Sequence, residues 1–231
     1  MDDTIKNTVQ NTASNDMTGE DYKKLCRSML GILGEMVALR TPENKYHVDK
    51  IQYFTNIIAN KVALLYPDYG LTPEKIEDIV LASCVHDIGN MGIPDSILGK
   101  TGRLTDEEFE VIKSHPLRGL DIIEKVRAKW RSEFDVVLKQ VVRSHHERYS
   151  GGGYPDGLKG EAIPIAAQIV SLADMYSSLT SDRVYRRAFS KERAYSIITE
   201  DNFEAFSPKM LEVLSESKDE IEKYLDTHPE N

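Results

Sequence analysis

Apolar residues recur at helical spacing along almost the whole chain. From Asp21 they fall at Leu25, Met29, Ile32, Met36 and Leu39, and from about Pro42 at Val48, Ile51, Phe54, Ile58, Val62 and Leu65. Steps of three and four residues bring such side chains onto one helix face. Pro42 suits a first helical turn, where its missing N–H is no loss. Thr72-Pro73-Glu74 has the form of an N-cap followed by a first-turn proline, and Ile76, Ile79, Val80, Ala82 and Val85 carry that helix to His86 and Asp87. A loop rich in helix breakers runs from Gly89 to Gly102, and Thr105-Asp106-Glu107-Glu108 then opens a helix with a capping-box pattern. Further helices are predicted at about 116–128, 133–147, 164–180, 190–200 and 208–225, with the glycine-rich loop Gly151 to Pro155 among them. Strand alternation and internal repeats are missing from the pattern, so the expected fold class is a compact all-α bundle.

The same pattern suggests an organisation. Residues 1–18, rich in Asn, Thr and Asp, are expected to be disordered. Residues 19–41 should form an N-terminal helix packing on the domain, its apolar residues serving core packing ahead of a partner surface. Residues 42–220 make the main domain, and 221–231 a polar C-terminal tail.

Composition narrows the function. With 40% hydrophobic and 29% charged residues, 231 residues can build one good-sized core. A formal net charge of −9 opposes binding to duplex nucleic acid, so an anionic ligand needs local help from metal ions or a basic cluster. The two cysteines, Cys26 and Cys84, lie far apart and fit buried thiols in a reducing compartment. No apolar run approaches the roughly 18 residues that span a bilayer. The first residues lack a basic region followed by an apolar one, so the expected location is the cytoplasm, with no membrane partner.

The chemistry is concentrated in histidines and acids. His86-Asp87 stands where an apolar helix runs into a glycine loop, and His145-His146 ends another helix. His47 follows Glu43 by four residues, on one helix face. Asp174 interrupts the apolar run Ile169, Val170, Leu172, Ala173, where a carboxylate needs a partner, and His115 precedes Pro116. Taken singly, each has an ordinary structural reading; His228 in the polar tail keeps that reading. Together they form a nitrogen–oxygen ligand set without thiolates, suited to Fe, Mn, Zn, Co or Ni and to bridged centres more than to structural zinc.

The ordered series His86-Asp87-Ile88-Gly89, Gly92-Ile93-Pro94-Asp95, Leu104-Thr105, His115-Pro116, His145-His146-Glu147-Arg148, Gly153-Tyr154-Pro155, Gly157-Leu158, Ile163-Pro164, Ala173-Asp174, Leu179-Thr180-Ser181, Arg183 and Tyr185 resembles the HD-GYP subgroup of the HD phosphohydrolases. The resemblance covers about Glu43 to Pro208. It implies a helical bundle holding two or three divalent metals, usually iron or manganese, at His47, His86, Asp87, His115, His145, His146 and Asp174, with Asp87 bridging. Glu43 matches an extra acid of the members that look trinuclear, although a surface acid in a first helical turn is an equal reading. The implied activity is hydrolysis of a cyclic dinucleotide, cyclic di-GMP to linear pGpG and then to GMP, by a hydroxide held between the metals. The implied substrate contacts are Gly153 and Tyr154 of the glycine loop, together with Arg183 and Arg186, which match phosphate-reaching positions. Arg187 reads as solvated charge.

Two positions depart from the family pattern. Asn90 replaces the lysine of His-Asp-Ile-Gly-Lys, and with His86 and Asp87 it makes the catalytic trio expected here; Ser150 replaces an aspartate at the head of the glycine loop. The first change can slow turnover, so the alternative reading is a module that senses the dinucleotide and cuts it weakly. Another is an HD phosphohydrolase acting on a different nucleotide. A regulatory protein or a second copy of the chain are the partners expected beyond the substrate.

Overall fold

A computed structural model describes residues 18–40, 47–127, 133–182, 186–201 and 203–228. Glu43 and Arg183, and residues 1–17 of the segment expected to be disordered, lie outside them. Ten α-helices are described: α1 Gly19–Ala38, α2 His47–Leu65, α3 Pro73–Ser83, α4 Asp95–Leu98, α5 Asp106–Lys113, α6 His115–Arg127, α7 Glu133–Ser144, α8 Ile165–Leu179, α9 Lys191–Ser196 and α10 Pro208–Thr227. No extended strand occurs among the described residues, and the fold is all-α.

The caps sit where the sequence places them. Thr72 Oγ1 accepts from the Lys75 N–H at the head of α3, and Thr105 and Glu108 form a reciprocal capping box on α5. Such caps satisfy N–H groups that have no partner within the helix. Thr18 does the same for α1 with Asp21.

Helix α2 is the hub, packing against α1, α3, α8 and α10. Its Ile51, Phe54, Ile58 and Val62 are fully buried, and the Phe54 ring meets Tyr176 of α8 and Tyr224 of α10 edge-on at 5.8 Å each. Helix α8 is buried without a break from Ala166 to Ala173 and again at Tyr176 and Ser177. A helix apolar all round belongs in the interior, so α8 forms the central post on which Asp174 is carried.

Four expectations are corrected. The stripe Leu25, Met29, Ile32, Met36 and Leu39 on α1 is exposed instead of buried, because the face meeting the domain is made of Leu30, Gly34 and Val37. Cys26 is exposed for the same reason, and only Cys84 is a buried thiol. The polar tail does not begin at 221: α10 continues to Thr227, with Ile221 fully buried and Tyr224 stacked on Tyr53. The helices expected to run on to Asp87 and to Glu147 end earlier, at Ser83 and Ser144, so that His86 and His145 sit in turns just past helix ends.

Candidate metal centre

Two groups of ligating side chains meet at one end of the bundle. Asp87, His115, His145 and His146 each offer an atom within 4.8 Å of the others, and so, separately, do His47, His86 and Asp174. Asp87 joins the two. Its Oδ1 lies 3.1 Å from His115 Nε2 and 3.3 Å from His145 Nε2, while Oδ2 lies 3.7 Å from His86 Nε2. His86 Nε2 is 4.0 Å, and His47 Nε2 3.7 Å, from Asp174 Oδ1.

Close approaches of backbone assemble this centre. After Ser83 the chain leaves α3 and tightens into the 3₁₀ turn Ile88–Gly92. A Cβ on Gly89 would fall 1.8 Å from the His115 carbonyl oxygen and 2.7 Å from the Gly119 nitrogen, so only glycine lets this turn lie against the start of α6. That contact is what brings Asp87 to His115.

The imidazoles are aimed by their far nitrogens. His86 Nδ1 lies 2.8 Å from the Ser83 carbonyl, His115 Nδ1 2.8 Å from that of Ile112, and His145 Nδ1 3.0 Å from that of Val141. Donating Nδ1–H to a carbonyl one turn back leaves the Nε2 lone pair facing the centre, the arrangement found around metal-ligating histidines. His47 Nδ1 is paired with Ser177 Oγ at 3.3 Å.

The electrostatics suit a cation. Burial drives His145 below the usual imidazole range despite its bond to Asp87, and burial with neighbouring His145 drives His146 well below it, so both are neutral ligands. For Asp87, burial works upward, but His86 and His115 outweigh it and keep the carboxylate ionised. Oδ1 of Asp87 is nonetheless buried without a well-directed hydrogen bond, and His115 Nε2 faces His145 Nε2 at 3.2 Å. Lone pairs converging without a shared proton are what divalent ions would satisfy. The donor set therefore fits bound metal.

A cavity of about 750 Å³ opens over the centre, floored by Asp87, Asn90, His115, His146, Tyr154 and Asp174. Tyr154 stacks on His146 with centroids 4.7 Å apart. Burial, then the charge of Asp87, raises its hydroxyl pKa, so the phenol stays a proton donor. The Gly153 backbone fits only without a side chain, since a Cβ would sit 2.3 Å from the Arg148 nitrogen. Buried Glu147 fastens the loop by accepting from the Asp156 and Leu158 N–H groups at 2.8 and 2.9 Å. Asn90 is buried and reaches the cavity.

The opposite wall was not anticipated. It runs from Ile97 to Asp106 and carries Lys100 and Arg103, Lys100 being bonded to Glu108 at 2.5 Å. The available signal was a pair of cations inside an otherwise breaker-rich loop of an acidic protein. Arg186 is placed elsewhere than expected: it does not line the cavity, and its guanidinium donates to the Ser178 and Leu179 carbonyls at the end of α8 and covers the Phe189 ring. Arg148, which the sequence marks only as part of the His-His-Glu-Arg series, donates to Ser171 Oγ at 3.0 Å.

Residues 32–210 match the family model described as HD domain. Among curated proteins, a cyclic di-GMP phosphodiesterase of Vibrio cholerae is 39% identical over 183 residues, 78% of this chain and 37% of that protein. A 3′3′-cGAMP-specific phosphodiesterase 2 of the same organism is 30% identical over 201 residues, 87% of this chain and 36% of that protein. The chain thus spans well under half the length of these relatives. Among solved structures, an HD-GYP-type protein from Bdellovibrio bacteriovorus, Bd1817, superposes with a TM-score of 0.57 at 17% identity, over 92% of this chain and 68% of that one, and supports the fold alone. The matched span and the helical frame place the chain in the HD domain family.

Proposed function

We propose that this chain is a metal-dependent phosphodiesterase that hydrolyses a cyclic dinucleotide, opening cyclic di-GMP to linear pGpG and then to GMP. The observation that carries this reading is Asp87, shared between two ligand groups at the floor of a cavity of about 750 Å³, a volume within the usual range for small-molecule sites. The names of the relatives support the substrate class.

Asp87, His115, His145 and His146 would hold one ion, and His47, His86 and Asp174 a second, with Asp87 between the two groups. Glu43 is kept as a candidate for a third ion. When bound, divalent ions supply Lewis acidity and a water-derived nucleophile near neutral pH. The remaining work falls to side chains. Tyr154 keeps its proton and donates to a phosphate oxygen, while Gly153 lets the loop backbone approach the nucleotide. Asn90 offers a neutral hydrogen bond where its relatives by motif carry a cation. Lys100 and Arg103, facing the centre across the cavity, balance the second phosphate, and Arg183 remains a candidate for the same task. One water adds across a phosphorus–O3′ bond, leaving a 5′-phosphate and a free 3′-hydroxyl. Imidazole and carboxylate ligands without thiolate suit Fe, Mn, Zn, Co or Ni, and among these the family resemblance favours iron or manganese. A cytoplasmic location fits the substrate class and the two free thiols.

Chromatography of products from metal-loaded protein tests this reading. Linear dinucleotide or GMP formed from cyclic di-GMP or cyclic GMP-AMP is the expected result. Both substrates recovered intact would refute it.

A further inference from the structure

Helix α1 has two apolar faces, and among the described residues only one meets the rest of the chain. At about 100° per residue, Arg27, Leu30, Gly34 and Val37 gather on one side. Gly34 lies so close that a Cβ would fall 2.2 Å from the Cys84 carbonyl oxygen, Val37 is buried, and Arg27 pairs with Glu77. On the other side Leu25, Met29, Ile32, Met36 and Leu39 are 46, 56, 60, 55 and 77% exposed, with Leu33 beside them at 45%. Successive members of the stripe are four, three, four and three residues apart. That alternation is the a/d spacing of a coiled-coil seam, with a mean period of 3.5.

We propose that α1 pairs with α1 of a second copy as a parallel two-stranded coiled coil, with Met29 and Met36 at a positions and Leu25, Ile32 and Leu39 at d. The area is sufficient: six side chains so exposed offer on the order of 600 Å² per copy, and two copies reach the low end of a specific interface. Of the positions flanking the seam between Leu25 and Leu39, Cys26, Ser28 and Leu33 carry no charge, and Glu35 is the single acid. Residues 1–17 offer only Ile5, Val9 and two methionines as large apolar groups, too few to cover six. The seam is also continuous with the metal centre. Just past its last residue, Arg40 donates to the Asn90 and Ile93 carbonyls at 2.8 and 2.9 Å, in the turn that follows Asp87.

Sedimentation equilibrium of the full chain across roughly 1–100 μM tests the pairing. The expected mass is twice the 26.2 kDa of the chain. It should fall to the single-chain value in Met29→Glu/Ile32→Glu, with the helical circular dichroism unchanged. A monomer throughout the range, or a dimer that survives the double substitution, overturns the proposal. Orientation is read from Ile32→Cys in a Cys26→Ser background, Cys84 being buried. Cross-linking under mild oxidation is expected of a parallel, in-register seam, and a dimer that fails to cross-link overturns the parallel arrangement.

Discussion

Histidine orientation is set atom by atom, and one of the four supports is a side chain. Removing Ser177 Oγ, 3.3 Å from His47 Nδ1, in Ser177→Ala should lower metal affinity by about 10–100-fold, the usual effect of losing a ligand's outer partner. Competition with a chelator measures it; an unchanged affinity would mean that packing alone holds His47. Gly153→Ala forces a Cβ against the Glu147 and Arg148 backbone. A loss of about 1–3 kcal/mol is expected in thermal or denaturant unfolding, as for other overpacked sites, together with reduced turnover. At this scale the side chains that cluster were legible, because His86-Asp87 and His145-His146 stand conspicuously at helix ends. Lys100, Arg103 and Arg148 were not, since their roles depend on which loop folds over which helix. Arg186 shows the reverse: a basic residue in a suggestive segment whose guanidinium is taken up by backbone carbonyls at the end of α8 and at Arg187.

Elements hold the site through their ends. The capping box of Thr105 and Glu108 starts α5 directly from the cavity wall, and Glu108 also anchors Lys100. Thr105→Ala should therefore destabilise the protein by about 1 kcal/mol and raise KM more than it lowers kcat. Equal changes in both would leave the wall without a role in binding. Arg40 ties the end of α1 to the turn beyond Asp87 by two carbonyl bonds. Bonds from a charged donor contribute about 1.5–3 kcal/mol, so Arg40→Ala should lower the unfolding free energy by about that amount and also loosen metal binding. Helix positions were largely legible from three-and-four spacing and from caps such as Thr72-Pro73. Which side of a helix faces inward was not. On α1 the inner contacts rest on Gly34, a residue without hydrophobic signal, while the conspicuous apolar stripe faces out. The end of α10 was missed for a similar reason, because Ile221 and Tyr224 are sparse among charged neighbours.

For the whole molecule, a net charge of −9 opposes anionic ligands, so the proposed dinucleotide would be drawn in through the candidate metal centre and the few cations around the cavity. Ions that bind only the folded state stabilise it by mass action, by about 2.7 kcal/mol at a hundredfold excess over Kd. Chelation should therefore lower Tm, and re-addition of metal restore it; a Tm indifferent to both would argue against ions bound within the bundle. Asp87 is the residue on which the two halves of the centre depend. The most direct test counts metal per chain in anaerobically purified wild type and Asp87→Ala, and in the same samples separates the products from cyclic di-GMP. The expected result is two or more irons or manganeses per chain with linear dinucleotide or GMP in the wild type, and loss of bound metal and of product in the variant. An Asp87→Ala protein that keeps its metals and its turnover would contradict the bridged centre.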